Sequence, residues 1–533
     1  MRSRLVAIAA ACSVILAIAQ DGEAPPAIAQ GGISNFASRM PSQLPSGAVA
    51  PGSLIRIRGW RLGPAPLDKL IVRLRRGDTS VETAALSASE NEITARLPEN
   101  APLGAAMLQV IKNGQASLEW PVTIAESSFG AFSRNRQGWG PGEISNATGV
   151  PNSEDRPARP DEAVTMTGTG LGSRARRPAG PQVLVAGRPA AAVRVLGPTM
   201  ERPGVDTIAF TLPADTPEGC HVPVEVLSAP GTYSNAVTMA VNRDGKPCLD
   251  RAAWLPNRTA RVATAILVHA DLEMALGPTD THNYIVDAGM ASFVETDANA
   301  VSPLFLFPPA GTCTTYTGTA GLHSITSPLT ALAAMQGKPL EAGPSVTVQG
   351  PGAPQLLPPT EPRSVYWGVI GGRPPVPGAK DLPIFLTPGD YRITAPGGSG
   401  VGAFRTSVRV APPLVWQNRE QLTEIDRSQG ANVTWQSSGK SRYVLIVAMN
   451  DDSRSGALGL CACLANAASR SFQIPAYALA NIPPMPAHPR GFPLNLVLLA
   501  ELPEISVTTA AAAGLDRVLS FAISVSARTV GFK

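Results

Sequence analysis

Charge is what this sequence has little of. Asp, Glu, Lys and Arg make up 16% of its 533 residues, against about 25% in an average soluble domain. Forty-four Lys and Arg against 40 Asp and Glu leave a net charge of +4. That small excess over a large surface excludes the dense basic footprint of a nucleic-acid-binding protein. The short clusters Arg73, Arg75, Arg76 and Arg174, Arg176, Arg177 read as solvated loop or strand-edge charges. Histidine is scarce too: His221, His269, His282, His323 and His488 are scattered, with no H-E-x-x-H and no pair at ligand spacing. No metal centre and no cofactor are expected from such a pattern. Beyond the N-terminal segment no run approaches 18 apolar residues, so no transmembrane helix is expected in the mature chain. No C-x-x-C occurs, and Cys461-Ala-Cys463 lacks companion ligands; it reads as two side chains on one face of a strand.

Glycine (50) and proline (52) are plentiful, and they separate short runs rich in Val, Ile, Leu and Thr. Such runs seldom reach helical length, so the chain reads as many strands joined by turns. At this length three or four domains are expected. The N-terminus has its own character. Arg2 and Arg4 precede an apolar stretch from Leu5 to Ala19, and the phrase Ala-Ile-Ala-Gln occurs at 17–20 and again at 27–30. A positive start, a short apolar segment and an A-x-A ending compose a secretory signal peptide. The first ending abuts the apolar run, so cleavage is expected after Ala19, with Ala29 as the alternative. The protein is therefore expected to be secreted or held in the cell envelope.

Two stretches repeat. "PGSLIRIRGWRLGP" (51–64) matches "DEAVTMTGTGLGS" (161–173): an alternating strand turns at Gly59 or Gly168, with Leu-Gly following. "ITARLPENAPLGAAMLQV" (93–110) matches "IAFTLPADTPEGCHVPVEV" (208–226). Offsets of 109 and 115 residues suit tandem β-sandwiches of immunoglobulin size. Together with "VLVAGRPAA" (183–191), these motifs resemble the IPT/TIG immunoglobulin-like modules. More closely, they resemble the tandem modules of a family of secreted acidobacterial proteins, "NSEDRPARPDEAVTMTGTGLG" (152–172) being the most characteristic piece. The resemblance covers about 33–245. It implies an all-β fold of tandem immunoglobulin-like sandwiches and an exported location, and it carries no catalytic residues.

The remaining half also reads as β. "LTPGDYRIT" (386–394) places Tyr391 as the tyrosine corner of a Greek-key sandwich, and Pro412-Pro413 marks a joint. The expected organisation is a signal peptide at 1–19, a linker at 20–32, immunoglobulin-like domains at 33–125 and 126–248, and sandwiches at 255–411 and 412–533. Five cysteines remain after the signal, so at least one disulfide is expected in an oxidising compartment. In the repeat reading Cys220 opens the next-to-last strand of the second sandwich and Cys248 follows the end of its last strand. Antiparallel pairing brings those points together, and the first copy has Ala105 where Cys220 aligns. A Cys220–Cys248 bridge follows, with the pairing of Cys313, Cys461 and Cys463 left open.

No catalytic constellation is legible. "PGGSGVG" (396–402) fails G-x-S-x-G, and "GTGLG" (168–172) is not followed by a helix that could hold phosphate. The paired acids in "ADLE" (270–273) and "NDDS" (450–453) do not make a calcium loop. Six of the seven tryptophans, Trp60, Trp139, Trp254, Trp367, Trp416 and Trp435, fall in or beside loops and strand ends. Aromatics of this kind pack in cores or, when exposed, stack on sugar rings. Trp60, within the glycine turn of the first copy, is the candidate ligand-binding residue. The expectation is a non-catalytic adhesion, scaffold or recognition protein whose partner is an extracellular polysaccharide or a surface protein. The rival is an exported carbohydrate-active enzyme with its site in 255–533.

Overall fold

A computed structural model describes residues 24–172, 180–197, 201–248, 259–277, 280–296, 307–319, 337–360, 365–375, 378–437, 442–452, 454–487, 494–502, 506–509 and 512–533. The expected signal peptide and its cleavage after Ala19, the Arg174–Arg177 cluster, Trp254, His323 and His488 lie outside these residues. The described chain is an all-β array of sandwiches. Among the described residues no helix is long and apolar enough to cross a membrane.

In the first sandwich the sequence alternation does the sorting. Leu54–Trp60 buries Ile55 and Ile57 and turns Arg58 and Trp60 outward, as a period of two requires. Leu70–Arg76, Glu92–Arg96 and Gly104–Lys112 alternate likewise, and Leu70, Val72, Leu74, Ile93, Leu108 and Val110 close one core. Each such side chain contributes roughly 1.5–3 kcal/mol on burial. Residues 20–32 are not merely a linker. Ala27–Asn35 is a strand of this sandwich, with Ala27 opposite Trp60. Nor does the chain turn at Gly59 or Gly168, which both lie inside strands. A Cβ on Gly59 would stand 1.9 Å from the Ala27 carbonyl oxygen, and one on Gly168 would stand 2.1 Å from the Phe129 ring. These glycines admit a close neighbour rather than a turn.

The second sandwich stacks two five-stranded sheets over Val164, Met166, Ile208, Phe210, Val222, Val224, Val226 and Met239. Its strand Gly219–Ala229 pairs antiparallel with Val237–Val241, Gly219 lying opposite Val241. The two sandwiches are stitched by Asn35, whose side-chain amide donates to the carbonyls of Ser128 and Thr169 at 3.1 and 2.9 Å.

The C-terminal half is built differently. One eleven-stranded sheet runs through it in the order 312–319, 457–466, 443–452, 495–502, 517–529, 260–277, 280–296, 365–372, 359–360. Its members come from both sides of Pro412-Pro413, so the expected split at 412 does not divide the fold. The long strands Ala260–Gly277 and Arg517–Thr529 pair in parallel at the centre. What changes at the prolines is the covering layer. A four-stranded sheet (residues 346–410) packs on one end of the broad sheet around Phe293, Tyr366 and Tyr391. A three-stranded sheet (residues 415–474) packs on the other end around Trp416, Trp435 and Phe532. Tyr391 is the tyrosine corner the sequence suggests: its phenol donates to the Phe385 or Thr387 carbonyl, at 2.9 or 3.1 Å, and accepts from Thr387 N at 2.8 Å.

Candidate functional site

The residues singled out by sequence fall in different places. Trp60 ends its strand on the outer face of the first sandwich, 57% exposed. Among the other described tryptophans only Trp367 is comparably open, at 48%. Trp416 and Trp435 are core, and Trp139 is half-buried edge-on to Tyr316. Cys220 and Cys248 are bonded, with Cα atoms 5.6 Å apart. A second bridge joins Cys313 to Cys463, which face each other across paired strands. Cys461 is a buried free thiol whose pKa burial pushes up to about 12, which leaves it inert as a nucleophile. The structure does not bring Trp60 and the cysteines together.

The paired acids are likewise accounted for. Asp271 and Glu273 share one face of Ala260–Gly277 and both meet Arg419, at 2.7 and 3.3 Å; Arg528 adds a contact to Glu273 at 3.2 Å. Carboxylates so clamped serve as ion-pair partners of the two guanidinium groups. Asp452 caps its own turn through the amides of Arg454 and Ser455. Among the described residues no cluster of three His, Cys, Asp or Glu could hold a metal.

Two groups that the sequence did not single out are chemically unusual. Glu225, on the outer face of Gly219–Ala229, is wholly enclosed where the second sandwich meets the C-terminal half. Thr315 donates to one carboxyl oxygen at 2.8 Å, and the other has no partner. Burial raises its pKa to about 8, the Thr315 bond pulling the other way. Tyr233, Tyr477 and Cys461 are its titratable neighbours.

The second group lies on the broad sheet where its two covering layers meet. His269 stands opposite Asp287 on one neighbouring strand and beside Ser524 on the other, and Ser524 stands opposite Glu501 on the next. Registered neighbours share a face, so Asp287, His269, Ser524 and Glu501 form one row across four strands. Asp287 is fully buried. One of its oxygens is 2.7 Å from His269 Nδ1, and the other accepts from the amides of Phe385 and Leu386 at 2.7 and 2.8 Å. A β-bulge follows Asp287. Glu501 accepts from Ser437 at 2.6 Å. His269, Ser524 and Glu501 line a cavity of about 60 Å³ roofed by the segment Arg409–Pro413. A larger, open concavity of about 380 Å³ lies on the first sandwich, edged by Arg75, Arg76, Met107 and Thr123; Arg75 there is already forked onto Glu119, at 2.9 and 2.7 Å.

No family model matches the chain, and no curated protein matches it. Among solved structures it is similar to a surface glycan-binding protein, PbSGBP-B from Prevotella bryantii, at 17% identity and a TM-score of 0.13 over 34% of each chain. It thus spans about a third of that protein. A second glycan-binding protein, SGBP-B from a xyloglucan utilization locus in Bacteroides uniformis, gives 13% identity and a TM-score of 0.17 over 65% of this chain and 86% of that one. Domains 5–6 of the S-layer protein SbsC give 10% identity and a TM-score of 0.18 over 40% and 98%. Scores this low carry no argument about function.

Proposed function

We propose that this chain acts outside the cytoplasm, at or beyond the cell surface, as a recognition or scaffold protein whose first sandwich presents Trp60 to a polysaccharide or surface protein. The observation that carries the reading is Trp60 itself: a large aromatic at a strand end, open to solvent beside exposed Arg58. An indole left uncovered at such a position offers a flat apolar face that a sugar ring or an aromatic partner can cover. Two disulfides agree with an oxidising compartment, as does the signal-peptide pattern at the N-terminus. The motif resemblance to tandem IPT/TIG-like modules of secreted proteins points the same way. An array of glycans and cell-wall polymers probed with the full chain tests this reading. Capture that is lost in Trp60→Ala while the melting temperature holds supports it; capture that ignores Trp60 sinks it.

A further inference from the structure

We propose that Ser524 is a nucleophile activated by His269, and that the junction cavity takes short acyl esters. This goes beyond surface recognition and departs from the sequence expectation of a chain without chemistry. The argument begins with Asp287. Its carboxylate accepts from two backbone amides and from His269 Nδ1, so the proton of the neutral imidazole sits on Nδ1 and Nε2 keeps its lone pair. Asp287 therefore acts as a positioning residue, fixing ring and tautomer. Ser524 lies beside His269 on the parallel neighbour strand, on the same face, and both line the cavity. Both are partly accessible, whereas Asp287 is sealed. The Ser524 hydroxyl makes no hydrogen bond to any described residue, His269 included, so the bond between the two is one that forms as the ester enters the cavity. Glu501, the other carboxylate in the row, is engaged by Ser437, which leaves His269 as the base.

The chemistry balances without a further reagent. Ser524 Oγ attacks the ester carbonyl and gives its proton to His269 Nε2. The bond from carbonyl carbon to the leaving oxygen breaks, and the alcohol departs with that proton, leaving an acyl-serine ester. Water then attacks the acyl carbonyl, His269 takes its proton, and Ser524 leaves and recovers a proton as the carboxylic acid is released. The net change is ester plus water to acid plus alcohol. The cavity of about 60 Å³ compares with about 30 Å³ per liquid water, so the acyl group must be short; acetyl is the natural probe.

The test uses the full folded chain with p-nitrophenyl acetate and a fluorophosphonate probe, read by intact mass and peptide mapping. The expected result is one acetyl or phosphonyl group on Ser524, absent in Ser524→Ala and slowed by a factor on the order of 10²–10⁴ in His269→Asn. Ser526→Ala, one row along the same strand, is expected to keep the label on Ser524. If His269→Asn does not fold, Ser524→Ala and the mapped position of the label still decide. No label on Ser524 in the native chain, or a label undiminished in folded His269→Asn, overturns the proposal.

Discussion

The two halves of the molecule solve the same packing problem in opposite ways. In the N-terminal half each sandwich pairs strands that are close in sequence and closes its own core. In the C-terminal half two cores share one broad sheet, whose central parallel pair joins positions 255 residues apart in sequence, such as Val262 and Arg517. Local pairing makes a sandwich independent of its neighbours. Shared pairing makes each core a condition of the other, and it leaves a junction between covering layers where polar side chains can stand inside the protein.

The largest effect expected from this contrast is all-or-none. A fragment of residues 24–248 should melt cooperatively with an all-β far-UV spectrum, whereas residues 259–411 should show no cooperative transition, having lost the neighbour strand Arg517–Thr529. A cooperative melt of the second fragment would dissolve the contrast. The disulfides should rank the same way. Cys313–Cys463 spans 150 residues and Cys220–Cys248 spans 28, so loop closure is worth about 5 and about 3–4 kcal/mol respectively. Denaturant midpoints of the two Cys→Ala pairs measure that ranking. Trp435→Ala, in the second C-terminal core, should cost about 3–5 kcal/mol, while Trp60→Ala should stay within about 0.5 kcal/mol; chemical denaturation compares them directly.

A pH titration sharpens the comparison where the halves meet. Glu225 has its folded pKa raised above the ordinary carboxyl value, to about 8. Between those values the folded state holds a proton that the unfolded state has released. This contribution is therefore complete below about pH 4.5 and is lost as pH rises through 8, at up to about 1.4 kcal/mol per unit. Melting temperature should fall across that window in the native chain and fall less in Glu225→Gln. Equal slopes for the two would place the Glu225 carboxyl in contact with water.

Alternation and turn residues made the all-β class readable, because burial by period two is a local property. The phenol of Tyr391 was readable for the same reason, its partners lying within a few residues. Gly59 misled because the crowding that requires it comes from Ala27, more than thirty residues upstream. The broad sheet was invisible because nothing local in "LVHADLEMALG" (267–277) announces a parallel partner, and "AILVHADL" (265–272) looks like any buried strand. His269, Asp287 and Ser524 escaped notice for the same reason: only register brings them to one face. One signal was present, since His269 ends the apolar run 265–268 and Asp287 stands between Val286 and Ala288, where the fold buries the acid.

The parallel pairing of Ala260–Gly277 with Arg517–Thr529 also has a kinetic consequence. The strands before it in the sheet and those after it form two blocks, each with a raw edge until that pairing is made. Long-range ladders form slowly because the intervening chain must first be confined, and bare edges invite pairing with other chains. The vulnerable interval in this protein's life is thus the time between making the two blocks and joining them. Once they are joined, a single backbone cut in the exposed stretch around Lys380 should leave a nicked molecule that still migrates as one body, its pieces held by the sheet they share.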